Sequence, residues 1–146
     1  MLKKFDIAPV WMGVALLVVM AFRPVGASPG LLALLAGTAL LAAGGGLVFL
    51  AFREFERHGT DGTPGAVPRV LVTTGPFRYT RNPIYLAGVL IVAGLSLVLG
   101  SPIGLIVAPA LGIVLQDRFI KPEEARIAAT FGDEWAAFAA RTRRWI

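Results

Sequence analysis

Three groups of polar residues stand out in an otherwise apolar chain, and their residue types could support chemistry. The stretch "LVTTGPFRYTRNPIYL" (residues 71–86) carries two arginines, two tyrosines and an asparagine directly before an apolar run. The other groups are "QDR" (residues 116–118) and the adjacent pair Glu123 and Glu124. Arginine binds carboxylate or phosphate groups in bidentate fashion, and a carboxylate can pair with a cation. If the three groups meet at one edge of a membrane, they predict a polar pocket there.

Each of these residue types also has a simpler interpretation. Arginines beside an apolar run extend their charges towards lipid headgroups, and tyrosines there form an interfacial aromatic belt. Acidic residues such as Glu123 and Glu124 are favourable in the first turn of a helix, after Pro122. No single residue therefore decides between a ligand pocket and an ordinary membrane interface.

The composition predicts an integral membrane protein of one domain. Of the 146 residues, 56% are hydrophobic, and the mean hydropathy is +0.73. The absence of cysteine excludes disulfides and thiolate ligands, and the one histidine, His58, does not form a metal site by itself. The net charge is +5, but the basic residues flank apolar runs, which favours lipid headgroups over nucleic acid. We therefore expect neither a metal nor a nucleic-acid partner.

Four apolar runs predict an all-α integral membrane protein with about four transmembrane helices. The runs cover residues 7–22, 31–52, 84–99 and 103–115. The second run reaches the length of about 20 residues that crosses a bilayer as a helix, and the others are shorter. Because only "GSPIG" separates the last two, we expect them to form a short helical hairpin, followed by an amphipathic C-terminal helix.

We expect a single membrane domain over residues 1–146. Its predicted parts are two N-terminal spans (1–52), a cytoplasmic loop (53–83), the helical hairpin (84–120) and a cytoplasmic C-terminal helix (121–146). With four spans, all but one of the 14 lysines and arginines lie on the side of the two termini. Basic residues concentrate on the cytoplasmic side, so both termini are predicted to be cytoplasmic, in a bacterial inner membrane.

The polar motifs, taken in order, resemble a known family. "LVTTGPFRYTRNPIYLAG", a short apolar hairpin and "KPEEARIAATFGDEWAAFAARTRR" are together similar to the isoprenylcysteine carboxyl methyltransferase and phospholipid methyltransferase family of integral membrane enzymes. The resemblance covers residues 71–144, and the first two spans match only in being apolar. The ordered set of G-P-F-R-Y, R-N-P-x-Y, hairpin, E-E and F-G-x-E-W makes it fairly specific.

The resemblance implies an S-adenosylmethionine cofactor at the cytoplasmic edge and a lipid-like or small amphiphilic methyl acceptor. It implies that one carboxylate of the Glu123 and Glu124 pair contacts the cofactor, and that Arg118 is the nearest match to an arginine that positions the acceptor. The other residues that it implies as cofactor contacts are Arg69, Val70, Leu71, Val72, Phe77, Asn82, Pro83, Ile84 and Tyr85. Eukaryotic carboxyl methyltransferases carry a histidine where this chain has Asn82, so a role that requires an imidazole does not transfer.

Residue chemistry adds to this implied site. A cationic sulfonium favours carboxylates and aromatic faces nearby, which the acidic pair, Phe77, Tyr79 and Tyr85 would supply. Arg81 would anchor the cofactor or the acceptor through its guanidinium group.

The nature of the acceptor decides whether a base is needed. An acceptor carboxylate is already ionised at pH 7, whereas an amine must lose a proton, for which Glu124 would be the general base. The sequence therefore favours carboxyl O-methylation slightly. The alternatives are N-methylation of a phospholipid headgroup and a lipid-binding membrane protein without catalytic activity.

Overall fold

Every regular element that the computed structural model describes is helical. It describes residues 7–26, 28–60, 62 and 68–146, so the two N-terminal lysines of the orientation argument lie outside the described residues. The elements are α1 (Ala8–Ala21), α2 (Leu31–Arg57), a 3₁₀ turn (Gly75–Arg78), α3 (Pro83–Val98), α4 (Gly104–Leu115), a π-helical segment (Gln116–Ile120) and α5 (Lys121–Arg141). The prediction of an all-α protein is confirmed for this part of the chain.

The prediction of four membrane spans is not confirmed. Within the described residues, only α2, with 27 residues, is both long and apolar enough to cross a membrane. At 1.5 Å per residue it is about 40 Å long. The 14 residues of α1, 16 of α3 and 12 of α4 give shorter helices than a hydrocarbon core of about 30 Å requires. One candidate crossing is therefore supported by helix length and composition within the described residues.

The helices α2 and α3 pack closely because each presents glycine at the contact. A Cβ atom added at Gly37 would lie 2.7 Å from the carbonyl oxygen of Gly94, and one at Gly94 would lie 2.8 Å from that of Gly37. Further along α2, a Cβ at Gly44 would lie 2.7 Å from the Ile91 side chain. Small residues let helix backbones approach in this way within membranes. The helix α2 is thereby joined directly to the helix that follows the polar motif.

The last three helical elements form one continuous element. The segment from Gly104 runs through α4 and the π-helical residues into α5, with one non-helical residue, Gly132 (φ 49°), inside α5. The turn before it contains Gly100 with φ 62°, and the Ser101 hydroxyl there donates to the Val19 carbonyl of α1 at 2.8 Å. The element therefore begins against α1 and carries the acidic pair to the opposite end of the molecule.

Candidate active site

A cavity of about 150 Å³ lies where the polar motif meets α5. Its walls come from the start of α1, the end of α2, the segment before α3, the first turn of α3 and the inner face of α5. Ten of the residues that the sequence singled out line it: Leu71, Val72, Phe77, Arg81, Asn82, Pro83, Ile84, Tyr85, Glu123 and Glu124. The structure thus brings the segment of residues 71–85 and the Glu123 and Glu124 pair together around one cavity.

The segment between α2 and α3 is shaped by local sequence signals. Gly75 has a φ of 58°, a conformation that L side chains rarely adopt, and Pro76 follows it at the start of the 3₁₀ turn. The Asn82 backbone N–H donates to the Thr80 side-chain oxygen at 3.1 Å, and Pro83 then opens α3, where a missing N–H has no cost. This turn and helix start place Phe77 and Asn82 at the cavity wall.

The carboxylate of Glu54, near the end of α2, holds this segment in place. It is 6% exposed and accepts hydrogen bonds from the Thr74 hydroxyl at 2.5 Å and from Arg57 Nη1 at 2.8 Å. A Cβ atom at Gly75 would lie 2.6 Å from the Glu54 side chain, so the turn fits against Glu54 only as glycine. Sequence analysis missed Glu54 because it lies in "REFER", which resembles an ordinary charged helix end.

The carboxylate of Glu124 is held by the C-terminal segment. Arg144 makes three hydrogen bonds to it, at 2.6 to 3.2 Å, and this pairing raises the pKa of Arg144. The Arg144 carbonyl also accepts hydrogen bonds from Thr80 Oγ1 at 3.2 Å and Asn82 Nδ2 at 3.1 Å. The Asn82 amide, expected from the resemblance to contact a cofactor, is therefore engaged with the chain terminus.

The adjacent carboxylate, Glu123, has a different environment. The Tyr85 hydroxyl donates to it at 2.8 Å. Burial raises the pKa of the Glu123 carboxyl, and the negative charge of Glu124 raises it further. The hydrogen bond from Tyr85 and the positive charge of Arg126 lower this pKa but do not cancel the effect of burial. Glu123 is therefore easier to protonate than an ordinary surface glutamate.

The guanidinium of Arg81 keeps one donor unused. Its Nη1 lies 3.5 Å from Glu124, and the group lies over the Trp135 ring, 5.6 Å from the ring centre. Its Nε atom is buried without a hydrogen-bond partner among the described residues. Because a buried donor without an acceptor costs about 1–3 kcal/mol, a ligand oxygen at this position would be stabilised.

Four of the residues singled out by the sequence are not in the cavity lining. The Arg69 N–H donates to Thr60 Oγ1, and Val70 beside it is 43% exposed. Tyr79 is 77% exposed. The Arg118 guanidinium lies over the Trp11 ring of α1, 5.2 Å from the ring centre.

The cavity lining also includes aromatic residues that the sequence did not assign to a site. Trp135 and Phe138 of α5 line it with their rings 5.7 Å apart, and Phe55 of α2 lines it beside Phe77. The helical spacing of Phe131, Trp135 and Phe138 was visible, but it suggested a membrane-facing surface. In the structure these rings pack against the segment before α3.

The comparison with known families agrees with the motif. The phospholipid methyltransferase family matches the chain over residues 32–134, which includes the segment before α3 and the Glu123 and Glu124 pair. The chain belongs to the phospholipid methyltransferase family. No curated protein shows a significant match. Family membership indicates a membrane methyltransferase that acts on lipids, and confirms the resemblance drawn from the motifs. The isoprenylcysteine part of that resemblance is not confirmed.

Within residues 7–26, 28–60, 62 and 68–146, no group of three or more histidine, aspartate or glutamate side chains could hold a metal ion. The polar chemistry of the cavity rests on Arg81, Glu123 and Glu124.

Replacing Glu54 tests its role in holding the Thr74 turn. Glu54→Ala leaves the Thr74 hydroxyl and Arg57 without their acceptor, so the free energy of unfolding should fall by about 1–3 kcal/mol. Glu56→Ala, at an exposed position two residues away, is the matched control and should change it by less than about 0.5 kcal/mol. Denaturant titration in mixed micelles measures both values. Equal stability of the two variants would show that Glu54 does not anchor the turn.

The raised pKa of Glu123 makes stability depend on pH. The pKa of this carboxyl is higher in the folded state than in the unfolded state, so its protonation stabilises the folded state at low pH. This stabilisation is lost as pH rises through the pKa of the folded state. The wild type should therefore lose thermal stability relative to Glu123→Gln between about pH 4 and pH 7. Glu134→Gln, at an exposed position on α5, should not show this trend. A constant difference between wild type and Glu123→Gln across that range would contradict the assignment.

Proposed function

We propose that this protein is an integral membrane, S-adenosylmethionine-dependent methyltransferase for a lipid-like or small amphiphilic acceptor, with carboxyl O-methylation favoured. The observation that carries the proposal is the cavity itself. In a chain of a methyltransferase family, it combines the unpartnered Arg81 Nε, the Glu123 carboxylate and aromatic walls.

The cavity residues suit S-adenosylmethionine chemically. The cofactor has a cationic sulfonium, a carboxylate and an adenosine group, so it requires negative, positive and apolar or aromatic partners. We assign Glu123 to the cationic sulfonium and Arg81 Nε to an anionic or carbonyl oxygen of the cofactor. Phe77 and Trp135 are assigned to its apolar and aromatic surface. Leu71, Val72, Asn82, Pro83, Ile84, Tyr85 and Glu124 complete the proposed cofactor-binding residues.

The volume of the cavity sets a condition on binding. At about 150 Å³ it is smaller than the range of about 300–1,000 Å³ that is usual for ligands of drug size. A nucleoside cofactor therefore requires the cavity to widen.

The state of Glu124 supports a carboxylate acceptor. When bound, S-adenosylmethionine supplies an electrophilic methyl group on a positively charged sulfur. An acceptor carboxylate attacks without losing a proton, so the residues need only position it. An amine requires a base, and the Arg144 hydrogen bonds stabilise Glu124 as a carboxylate and occupy its oxygens. Glu124, the base expected from the sequence, is therefore poorly suited to that role.

Arg118 is proposed to position the acceptor from the side of α1. Its guanidinium lies over Trp11, and the adjacent residue Met12 lines the cavity. An anionic acceptor that approached along α1 would meet this charge near the cavity entrance. In this arrangement both termini face the cytoplasm, and a bacterial inner membrane would supply the lipid acceptor.

The second candidate is N-methylation of a phospholipid headgroup. It is favoured by the description of the family and by the environment of Glu123. Because its pKa is raised, Glu123 is a better proton acceptor than an ordinary glutamate. If the acceptor is an amine, Glu123 rather than Glu124 is the base.

Cofactor binding tests the proposal directly. We expect isothermal titration calorimetry on the detergent-purified chain to show saturable binding of S-adenosylmethionine and its demethylated product. Arg81→Lys should weaken it by about tenfold or more, because lysine lacks Nε and the planar guanidinium. Arg53→Lys, on the exposed side of α2, should bind as the wild type does. A folded wild type without saturable binding would contradict the cofactor assignment.

The acceptor type is tested by the chemistry of the product. Membranes incubated with the protein and methyl-labelled cofactor should yield labelled lipid, and mild alkali should release the label as volatile methanol if the product is a methyl ester. Methylamines do not release their methyl group under these conditions. Label that stays in the lipid fraction would reject carboxyl methylation and favour the headgroup alternative.

A further inference from the structure

A second cavity, of about 520 Å³, lies on the other side of the 3₁₀ turn. Its lining consists of Thr73, Thr74, Arg78, Arg141 and Thr142. Its described lining thus combines two guanidinium groups with three hydroxyl groups, and no carboxylate is among these described residues. This composition is the reverse of the first cavity, where two carboxylates lie around one arginine.

The arginines of the second cavity are available to a ligand. Among the residues that the structure describes, neither Arg78 nor Arg141 has an ion-pair or hydrogen-bond partner, whereas Arg57 and Arg144 each pair with a glutamate. Thr142 is almost fully buried, and its backbone N–H donates to the Phe138 carbonyl, which fixes the end of α5 at the cavity. Two exposed arginines thus line the same cavity, and neither has an ion-pair partner among the described residues.

The cavity lies near the end of the one described helix that is long and apolar enough to cross a membrane. Thr74 is hydrogen-bonded to Glu54, three residues before the end of the spanning helix α2. Tyr79, next to Arg78, is largely exposed, as aromatic residues at the headgroup level are. Arginines at this depth meet the anionic surface of the membrane.

We propose that this second cavity is a phosphate-binding site, distinct from the methyl-transfer cavity. Phosphate matches its chemistry, because guanidinium groups bind phosphate oxygens in bidentate fashion. The hydroxyls of Thr73 and Thr142 can donate to the remaining oxygens, whereas that of Thr74 donates to Glu54. The phosphate belongs either to the headgroup of a membrane lipid or to a free anion. The cavity is larger than a phosphate group alone requires, which leaves room for the rest of a headgroup.

Inorganic phosphate is the first probe, used with the full chain in a maltoside detergent that contains no phosphate. The thermal unfolding midpoint should rise with phosphate concentration, beyond any change caused by chloride at equal ionic strength. Arg78→Gln with Arg141→Gln should raise the half-saturating phosphate concentration by about tenfold or more. The control variant, Arg23→Gln with Arg53→Gln, removes the same charge from exposed positions outside the cavity. Its half-saturating phosphate concentration should equal that of the wild type.

A soluble short-chain lipid distinguishes the two sources of phosphate. Dihexanoyl phosphatidic acid, kept below its micelle concentration, should saturate at a lower concentration than inorganic phosphate if the site binds a lipid headgroup. Inorganic phosphate should bind at least as tightly if the site takes a free anion. Dihexanoyl glycerol, which lacks phosphate, should not compete in either case.

Two results would overturn the proposal. One is an equal phosphate response of wild type and the Arg78→Gln, Arg141→Gln variant, and the other is a chloride response as large as that of phosphate. If the double glutamine variant loses its helical circular dichroism, Arg78→Lys with Arg141→Lys replaces it. That variant keeps both charges but loses bidentate geometry, so phosphate binding should weaken severalfold. Unchanged binding would likewise reject the site.

Discussion

The attachment of Arg144 to both walls of the first cavity is the interaction on which the site depends. Its side chain makes three hydrogen bonds to Glu124 of α5, and its carbonyl accepts two from the segment before α3. A partly buried ion pair is retained without net cost only when its geometry is good and its other polar atoms are satisfied. Arg144 meets this condition through two different elements at once. The first turn of α3 and the start of α5 are thereby held at a fixed separation, and the cavity lies between them.

This attachment also separates the roles of neighbouring residues. Because Arg144 occupies Glu124, Arg81 makes only a 3.5 Å contact to that carboxylate and keeps a buried Nε without a partner. Glu123, one residue away, meets a tyrosine hydroxyl in place of a guanidinium, and burial makes it easier to protonate. The ion pair between Arg144 and Glu124 thus leaves the Arg81 Nε donor and the Glu123 carboxyl, whose pKa is raised, in the same cavity. Adjacent glutamates with similar sequence signals differ in environment because only one of them bonds to the C-terminal segment.

Sequence analysis identified the cavity walls from residues that lie next to one another in the chain. The segment from Leu71 to Tyr85 and the acidic pair were recognisable because their spacing is local. It did not identify Arg144, whose partners Thr80 and Asn82 lie more than 60 residues away, since such contacts depend on the tertiary fold. Hydropathy likewise predicted four spans because it measures the length of apolar runs. In the structure, only α2 is both long and apolar enough to cross a membrane among the described residues.

The anchor at the end of α2 connects the depth of the site to the membrane. Glu54 binds Thr74 near the end of the one described helix that could cross a bilayer, and the 3₁₀ turn that follows separates the two cavities. Phe77 of this turn faces the carboxylate-lined cavity, and Arg78 faces the arginine-lined one. Because the turn is fixed to α2, both cavities are held at the end of that helix. Under the proposed function, a lipid-like acceptor would present its polar end to the first cavity while its chains lay alongside α2.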